Sequence, residues 1–189
     1  MSPISTPRLT LLPIDLPTYE ALFIGPPELS QHLSIRVPDV LSEFGMDIFD
    51  YTQAKLIEDH KQGPWWLYFF IHRADNALIG VGGYKGMPDE TGMVEIGYEI
   101  YPDYRGQGLA TETAQGLINR AFEYPEVMLV KAHTLAEMSA SVRVLEKCGM
   151  VFNDAFDDPN DGPVWQWQVK RSYLNRLVVA SPPTKSSQP

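Results

Sequence analysis

The stretch from Val94 to Phe122 changes its apolar period once, and a glycine-bearing turn marks the change. Val94-Glu95-Ile96-Gly97-Tyr98-Glu99-Ile100 alternates with period two, as a half-buried strand does. Leu109, Thr113, Leu117, Ile118, Ala121 and Phe122 then recur at helical spacing. Between them lies Tyr104-Arg105-Gly106-Gln107-Gly108-Leu109-Ala110. A strand therefore hands over to a helix N-terminus, where backbone N–H groups lack partners and the helix dipole is positive. Such a terminus suits phosphate. Gly106 and Gly108 carry no Cβ, so an anion can lie against the main chain, and Arg105 adds forked, charged donors. Two common phosphate-binding templates are not met. Position 111 is Thr where a dinucleotide fingerprint needs Gly or Ala, and no Lys-Ser/Thr follows as a P-loop requires.

The rest of the chain reads as further strands and helices around this junction. Residues 8–14 read as a first strand, and Asp15 as the N-cap of a helix to about Phe23, ended by Gly25-Pro26-Pro27. Two helical pieces fit within residues 28–63, the later carrying Phe49, Gln53, Leu56, Ile57 and His60 and ending at Gly63-Pro64. Strands follow at Trp66–His72, Leu78–Tyr84 and Met93–Tyr101, then a helix over 108–123 and a strand over 127–133. A helix over 139–148 and strands at 150–156 and 164–170 complete the order. The pattern by itself supports α/β or α+β, in a single domain over residues 1–175. The Pro/Ser-rich segment 176–189 is expected to be a disordered tail.

Composition narrows the function classes. The 189 residues carry a formal net charge of −9, which argues against nonspecific nucleic-acid binding. No apolar run approaches the ~18 residues of a membrane span, and no basic region precedes an apolar one at the start. The single cysteine, Cys148, excludes an internal disulfide and fits a reducing cytoplasm. Its place in a helical pattern makes it a packing residue rather than a nucleophile. No His/Cys cluster indicates a metal, and Asp157-Asp158-Pro159-Asn160-Asp161-Gly162 lacks the bidentate Glu of a calcium loop, so it reads as a turn. Trp65, Trp66, Tyr68, Phe69 and Phe70 read as sheet core. Trp165 and Trp167 share a face of the last strand, with core packing favoured over lining a site.

Three segments carry a family resemblance. Arg105-Gly106-Gln107-Gly108-Leu109-Ala110 resembles the Arg/Gln-x-x-Gly-x-Gly/Ala signature of the GNAT superfamily of N-acetyltransferases. Ala140-Ser141-Val142-Arg143-Val144-Leu145-Glu146-Lys147-Cys148-Gly149-Met150 resembles a segment of the branch that includes the ribosomal-protein-alanine acetyltransferases, and so does the opening Thr6-Pro7-Arg8-Leu9-Thr10-Leu11. The resemblance spans most of residues 6 to 170. It implies the GNAT fold: a central mixed, mostly antiparallel sheet of about seven strands, splayed between the fourth (93–101) and fifth (127–133), with about four flanking helices. It further implies transfer of an acetyl group from acetyl-CoA to a primary amine. The acceptor would be a protein N-terminus or a small molecule, without nucleic acid or membrane, and a homodimer is left open. The acidic composition favours a cationic acceptor or serves solubility alone.

By the same resemblance, the main chain near Tyr98, Glu99 and Ile100 meets the pantetheine arm and the thioester oxygen. Arg105, Gly106, Gln107, Gly108, Leu109, Ala110 and Thr111 hold the pyrophosphate. Ser141 stands near the sulfur of coenzyme A, because the position where many members carry a catalytic Tyr is Leu145 here. The alternative for Ser141 is a helix-start hydroxyl, since Ser139 and Ser141 both suit capping. Met138 departs from the Asn usual in the family, and Thr134 and Ser139 are the neighbouring hydroxyls that would replace its amide. For the general base, Glu95 is the first candidate, on one strand face with Gly97 and Glu99. His133 is the other, through the ordinary imidazole pKa near ~6.5. A non-catalytic acyl-CoA-binding module is the competing reading.

Overall fold

The computed structural model describes residues 2–159 and 161–172, so the segment 176–189 lies outside the described residues. Eight strands form one sheet in the order β1-β2-β3-β4-β5-β6-β8-β7. They are β1 (Ile4–Ser5), β2 (Leu9–Pro13), β3 (Leu67–His72), β4 (Ala77–Tyr84), β5 (Met93–Ile100), β6 (Leu129–Leu135), β7 (Val151–Asp158) and β8 (Gly162–Lys170). Among the described residues, five named α-helices accompany them: α1 (Leu16–Ile24), α2 (Pro26–Leu33), α3 (Asp47–Glu58), α4 (Leu109–Glu123) and α5 (Ala140–Lys147). The eighth strand is the two-residue β1, too short to leave a periodicity. Every neighbouring pair is antiparallel except β5 and β6.

Local chemistry sets the helix ends. Asp15 accepts the N–H of Thr18 at 3.0 Å and its hydroxyl at 2.6 Å, which caps α1. Gly25, at φ 139°, separates α1 from α2. The expected end of α3 at Gly63-Pro64 is corrected: the helix stops at Glu58, where Asp59 turns extended. Residues 60–65 then form a 3₁₀ turn that contains both Gly63 and Pro64. The 3₁₀ geometry lets a short segment swing the chain into β3.

Strand alternation divides the core between the two faces of the sheet. Tyr68, Phe70, Ile79 and Ile96 pack with Leu109, Leu117, Ile118 and Trp167 on the side of α4 and α5. Leu67, Phe69, Val81 and Tyr101 pack with Tyr19, Leu22, Leu29 and Phe49 on the side of α1–α3. The aromatic run 65–70 is thus core on both faces, and Trp167 belongs to the α4/α5 side. Close approach is required where β4 meets β5. A Cβ on Gly82 would lie 2.3 Å from the carbonyl oxygen of Gly97, so no side chain fits there.

Between β5 and β6 the register pairs are Met93↔Leu129, Val94↔Val130 and Glu95↔Lys131, and then they stop. β5 continues to Ile100 and β6 to Leu135 without pairing, so the sheet opens as a V in its middle. The junction after β5 is braced from outside. Glu112, in the first turn of α4, accepts from the Thr6 hydroxyl (2.6 Å), the Arg8 N–H (2.6 Å) and Arg8 Nε (2.7 Å). Arg8 also donates to the carbonyl of Gln107 at 2.9 Å. Burial pushes the Glu112 carboxyl up, but its bonds to Thr6 and Arg8 and the Arg8 charge outweigh this, leaving it below the ordinary carboxylate value. A depressed folded-state pKa means stability that is present above the ordinary carboxylate range and is lost as pH falls through the folded value. Thermal melts from pH 7 to pH 3 should therefore show an acid-side loss of Tm that is smaller in Glu112→Gln, and an equal loss in both proteins would remove this strap from the account.

Candidate active site

The site begins with main-chain direction. On β5 the carbonyl of Glu95 accepts from Lys85 N at 3.0 Å, and the N–H of Tyr101 donates to Ile79 at 2.9 Å, so odd-numbered residues turn their backbone to β4. Tyr98 and Ile100 lie in the intervening non-hydrogen-bonded pairs with Gly82 and Gly80. Their backbone groups therefore face β6, where pairing has ceased. The carbonyl of Ile100 is taken by Arg105 Nε at 2.7 Å. The N–H groups of Tyr98 and Ile100 remain directed into the gap.

A cleft of about 580 Å³ occupies this opening. Tyr98, Glu99, Ile100, Arg105, Gly106, Gly108, Leu109, Ala110, Thr111 and Ser141 all line it. Of the residues the sequence nominated for the cofactor, only Gln107 is elsewhere. Its amide donates to the carbonyl of Asp103 at 3.3 Å, and it borders a neighbouring cavity of about 500 Å³ with Arg36 and Asp75. Gly106 and Gly108 have φ of 76° and 77°, the left-handed region that side chains rarely adopt. Gly108 is the N-cap of α4 and offers no side-chain acceptor, and among the described residues no group accepts from the N–H of Leu109, Ala110 or Thr111. Free donors and the helix dipole thus converge on one wall.

The opposite wall is α5. Ser139 is its N-cap, accepting the Val142 N–H at 3.4 Å, whereas the exposed Ser141 hydroxyl has no protein partner among the described residues. The two serines are therefore distinguished: one caps, the other is free at the cleft. Arg143 and Lys147 follow Ser139 at helical four-residue steps and line the same cleft, giving it local positive charge in an acidic protein. Sequence reading passed over both cations, although the 139/143/147 spacing carried the signal. It also passed over Glu43 and Phe44, which reach the cleft from the loop between α2 and α3. Arg105 is ion-paired with Glu43. Glu99 is clamped by the Ser42 hydroxyl and the Glu43 N–H, each at 2.8 Å, so its carboxylate is already occupied.

Glu95, His133, Met138 and Thr134 are not among the residues that line this cleft. Glu95 and His133 meet, with Nδ1 2.9 Å from Oε1, and Lys85 is ion-paired with the same carboxylate. Met138 is 69 % exposed on the loop entering α5. Both hydroxyls suggested as its replacement are engaged, since Thr134 accepts from Trp167 Nε1 at 3.1 Å and Ser139 caps α5. Trp165 and Trp167 face away from His133, because His133 pairs with Gln166 between them. Burial pushes the Cys148 thiol up to about 11, which keeps it protonated at neutral pH. Among the described residues no cluster of three or more His, Cys, Asp or Glu could hold a metal, and no helix is long and apolar enough to cross a membrane.

A family model described as "Acetyltransferase (GNAT) domain" matches residues 8–151. The chain belongs to the GNAT acetyltransferase family. It is an acyltransferase by that membership. A curated relative, the "Uncharacterized N-acetyltransferase YjdG" of Bacillus subtilis, is 27% identical over 154 residues, covering 79% of this chain and 90% of that one. Among solved structures, the GNAT fold recurs in RimL, the ribosomal L7/L12 alpha-N-protein acetyltransferase in complex with coenzyme A. Its TM-score is 0.66 at 15% identity, over 89% of this chain and 98% of that one. The ribosomal-protein-S5-alanine acetyltransferase of Vibrio fischeri gives 0.66 at 14%, over 90% and 97%.

The split roles of the two serines can be checked by stability alone. Ser139→Ala should cost about 0.5–2 kcal/mol through loss of the cap, whereas Ser141→Ala should leave the denaturant midpoint unchanged. Equal losses would mean that both hydroxyls are structural.

Proposed function

We propose that residues 1–175 act as one domain that transfers the acetyl group of acetyl-CoA to a primary amine, with both substrates bound at once. One observation carries this reading. The free N–H groups of β5, the free N–H groups at the start of α4 and the free hydroxyl of Ser141 border a single cleft where the sheet opens.

The donor set fits coenzyme A. Leu109, Ala110 and Thr111 present unpaired N–H groups, Gly106 leaves open space beside the main chain, and Arg143 and Lys147 supply cations for its phosphates. When bound, acetyl-CoA supplies an activated acyl carbonyl and a thiolate leaving group. The N–H of Tyr98 or Ile100 is directed to polarise that carbonyl, as oxyanion donors do. Ser141 offers a proton to the departing sulfur. Holding both reactants in one cleft removes a large part of the barrier, up to ~7–11 kcal/mol in model systems. The acceptor is a protein N-terminus or a small amine. The α-amino group named for the RimL neighbour is one such amine.

Release of free thiol from acetyl-CoA, followed across an amine panel, tests the reading. Thiol release that depends on the amine is expected; tight acetyl-CoA binding with no amine-dependent thiol would make the chain a non-catalytic binder. Gly108→Val forces a β-branched residue into the left-handed region at φ 77° and should weaken acetyl-CoA binding in calorimetry. Unchanged affinity would displace the pyrophosphate from this loop. Ser141→Ala should lower kcat and leave acetyl-CoA affinity intact.

A further inference from the structure

Glu95 and His133, alternatives in the sequence, form one hydrogen-bonded unit at the floor of the opened sheet. Glu95 is the last residue of β5 that pairs with β6, opposite Lys131. His133 stands two residues further along β6, on the face of Lys131, where the strands have parted. The pair therefore bridges the first unpaired step of the gap, on the face that carries Glu95, Gly97 and Glu99. We propose that His133 Nε2 takes the proton from the acceptor ammonium, with Glu95 and Lys85 as positioning residues; this rests on the transfer reading above and names its base.

The hydrogen-bond inventory fixes the roles. Burial pushes the Glu95 carboxyl up, but the bond and charge of Lys85, with those of His133, outweigh it and leave it below the ordinary value. Glu95 is thus a carboxylate that only accepts, so His133 Nδ1 must donate to it. The neutral ring then carries its lone pair on Nε2. That nitrogen has no protein partner among the described residues and is not among the buried unpaired polar atoms, so it is open to an incoming group. Phe156 meets the ring edge-on at 5.4 Å and holds its plane. Glu95 is the poorer base of the two, because its oxygen already serves Lys85 and His133.

The step balances. An ammonium N–H bond breaks and Nε2 gains the proton, becoming an imidazolium stabilised by Glu95. The freed nitrogen pair forms the N–C bond as the C–S bond breaks. The nitrogen's second proton passes to water, the sulfur takes a proton through the Ser141 hydroxyl, which water replenishes, and His133 returns its proton to water. One amide, one thiol and one proton result. The charged groups on this face around the ring are Lys85 after β4, Glu95 and the Ser42-clamped Glu99 on β5, Lys131 on β6 and Asp154 on β7. Asp154 is reached across the uncharged Gln166 of β8.

The test compares kcat/KM against pH for the full chain and for His133→Gln, Glu95→Gln and Lys85→Met. The amine panel contains spermidine, lysine methyl ester and an alanyl tripeptide, and acetyl-CoA affinity is measured in parallel. His133→Gln should lower kcat/KM at neutral pH by ~100-fold or more with acetyl-CoA affinity unchanged, and should lose the acid-side limb of the profile. Glu95→Gln should move that limb to lower pH, since an amide stabilises the imidazolium less. Lys85→Met should move it to higher pH, since a competing cation is gone. If His133→Gln fails to bind acetyl-CoA through misfolding, the opposite shifts of the other two decide. A wild-type rate and limb in His133→Gln, or shifts of one sign in the other two, overturns the assignment while transfer stands. No amine-dependent thiol from the wild type overturns the transfer reading and the base together.

Discussion

The interrupted hydrogen-bond ladder between β5 and β6 is the constraint on which the rest of the structure depends. Backbone groups left without partners inside a sheet cost about 1–3 kcal/mol each once buried, so a V in the middle of eight strands must be held open by other contacts. The structure holds it on both arms. Arg105 satisfies the Ile100 carbonyl, and Ser42 and Glu43 clamp Glu99 on the β5 arm. Trp167 donates to Thr134 and anchors the β6 arm to β8. The N–H groups that stay unpaired are those that face the cleft. In this sense the unsatisfied donors of the fold are the groups on which the proposed acetyl-CoA site is built.

Charge is distributed to match. The chain carries −9 overall, yet the cleft wall gathers Arg143, Lys147 and the positive end of α4. Arg105 is held by Glu43 on the loop between α2 and α3, so the same ion pair joins the glycine turn to a segment that lines the cleft. The Thr6–Arg8–Glu112 strap braces α4 from the opposite side, which gives a physical reason for the Thr-x-Arg opening of the chain.

How much of this was legible in the sequence depended on range. The period change from β5 to α4 was legible because strand, turn and helix signals are local and adjacent. The cap at Asp15 was legible for the same reason, whereas the sequence left the cap of α5 open between Ser139 and Ser141. The end of α3 was misread because Gly63-Pro64 suggested a helix stop, whereas the chain had already turned at Asp59. β1 is two residues long and leaves no pattern. The contacts among Glu95, His133 and Lys85 could not be read, since they depend on a parallel register joining residues 38 apart. Glu43 with Arg105 and Glu112 with Arg8 are long-range pairings of the same kind.

The central claim is that acetyl-CoA lies against the main chain exposed where the ladder stops. Amide hydrogen exchange resolved by residue, with and without acetyl-CoA, addresses it most directly. The N–H groups of Tyr98, Ile100, Leu109, Ala110 and Thr111 should exchange readily in the free protein and become protected together when acetyl-CoA is added, while α1–α3 change little. Protection confined to other segments, or none at these amides under saturating acetyl-CoA, would contradict the account.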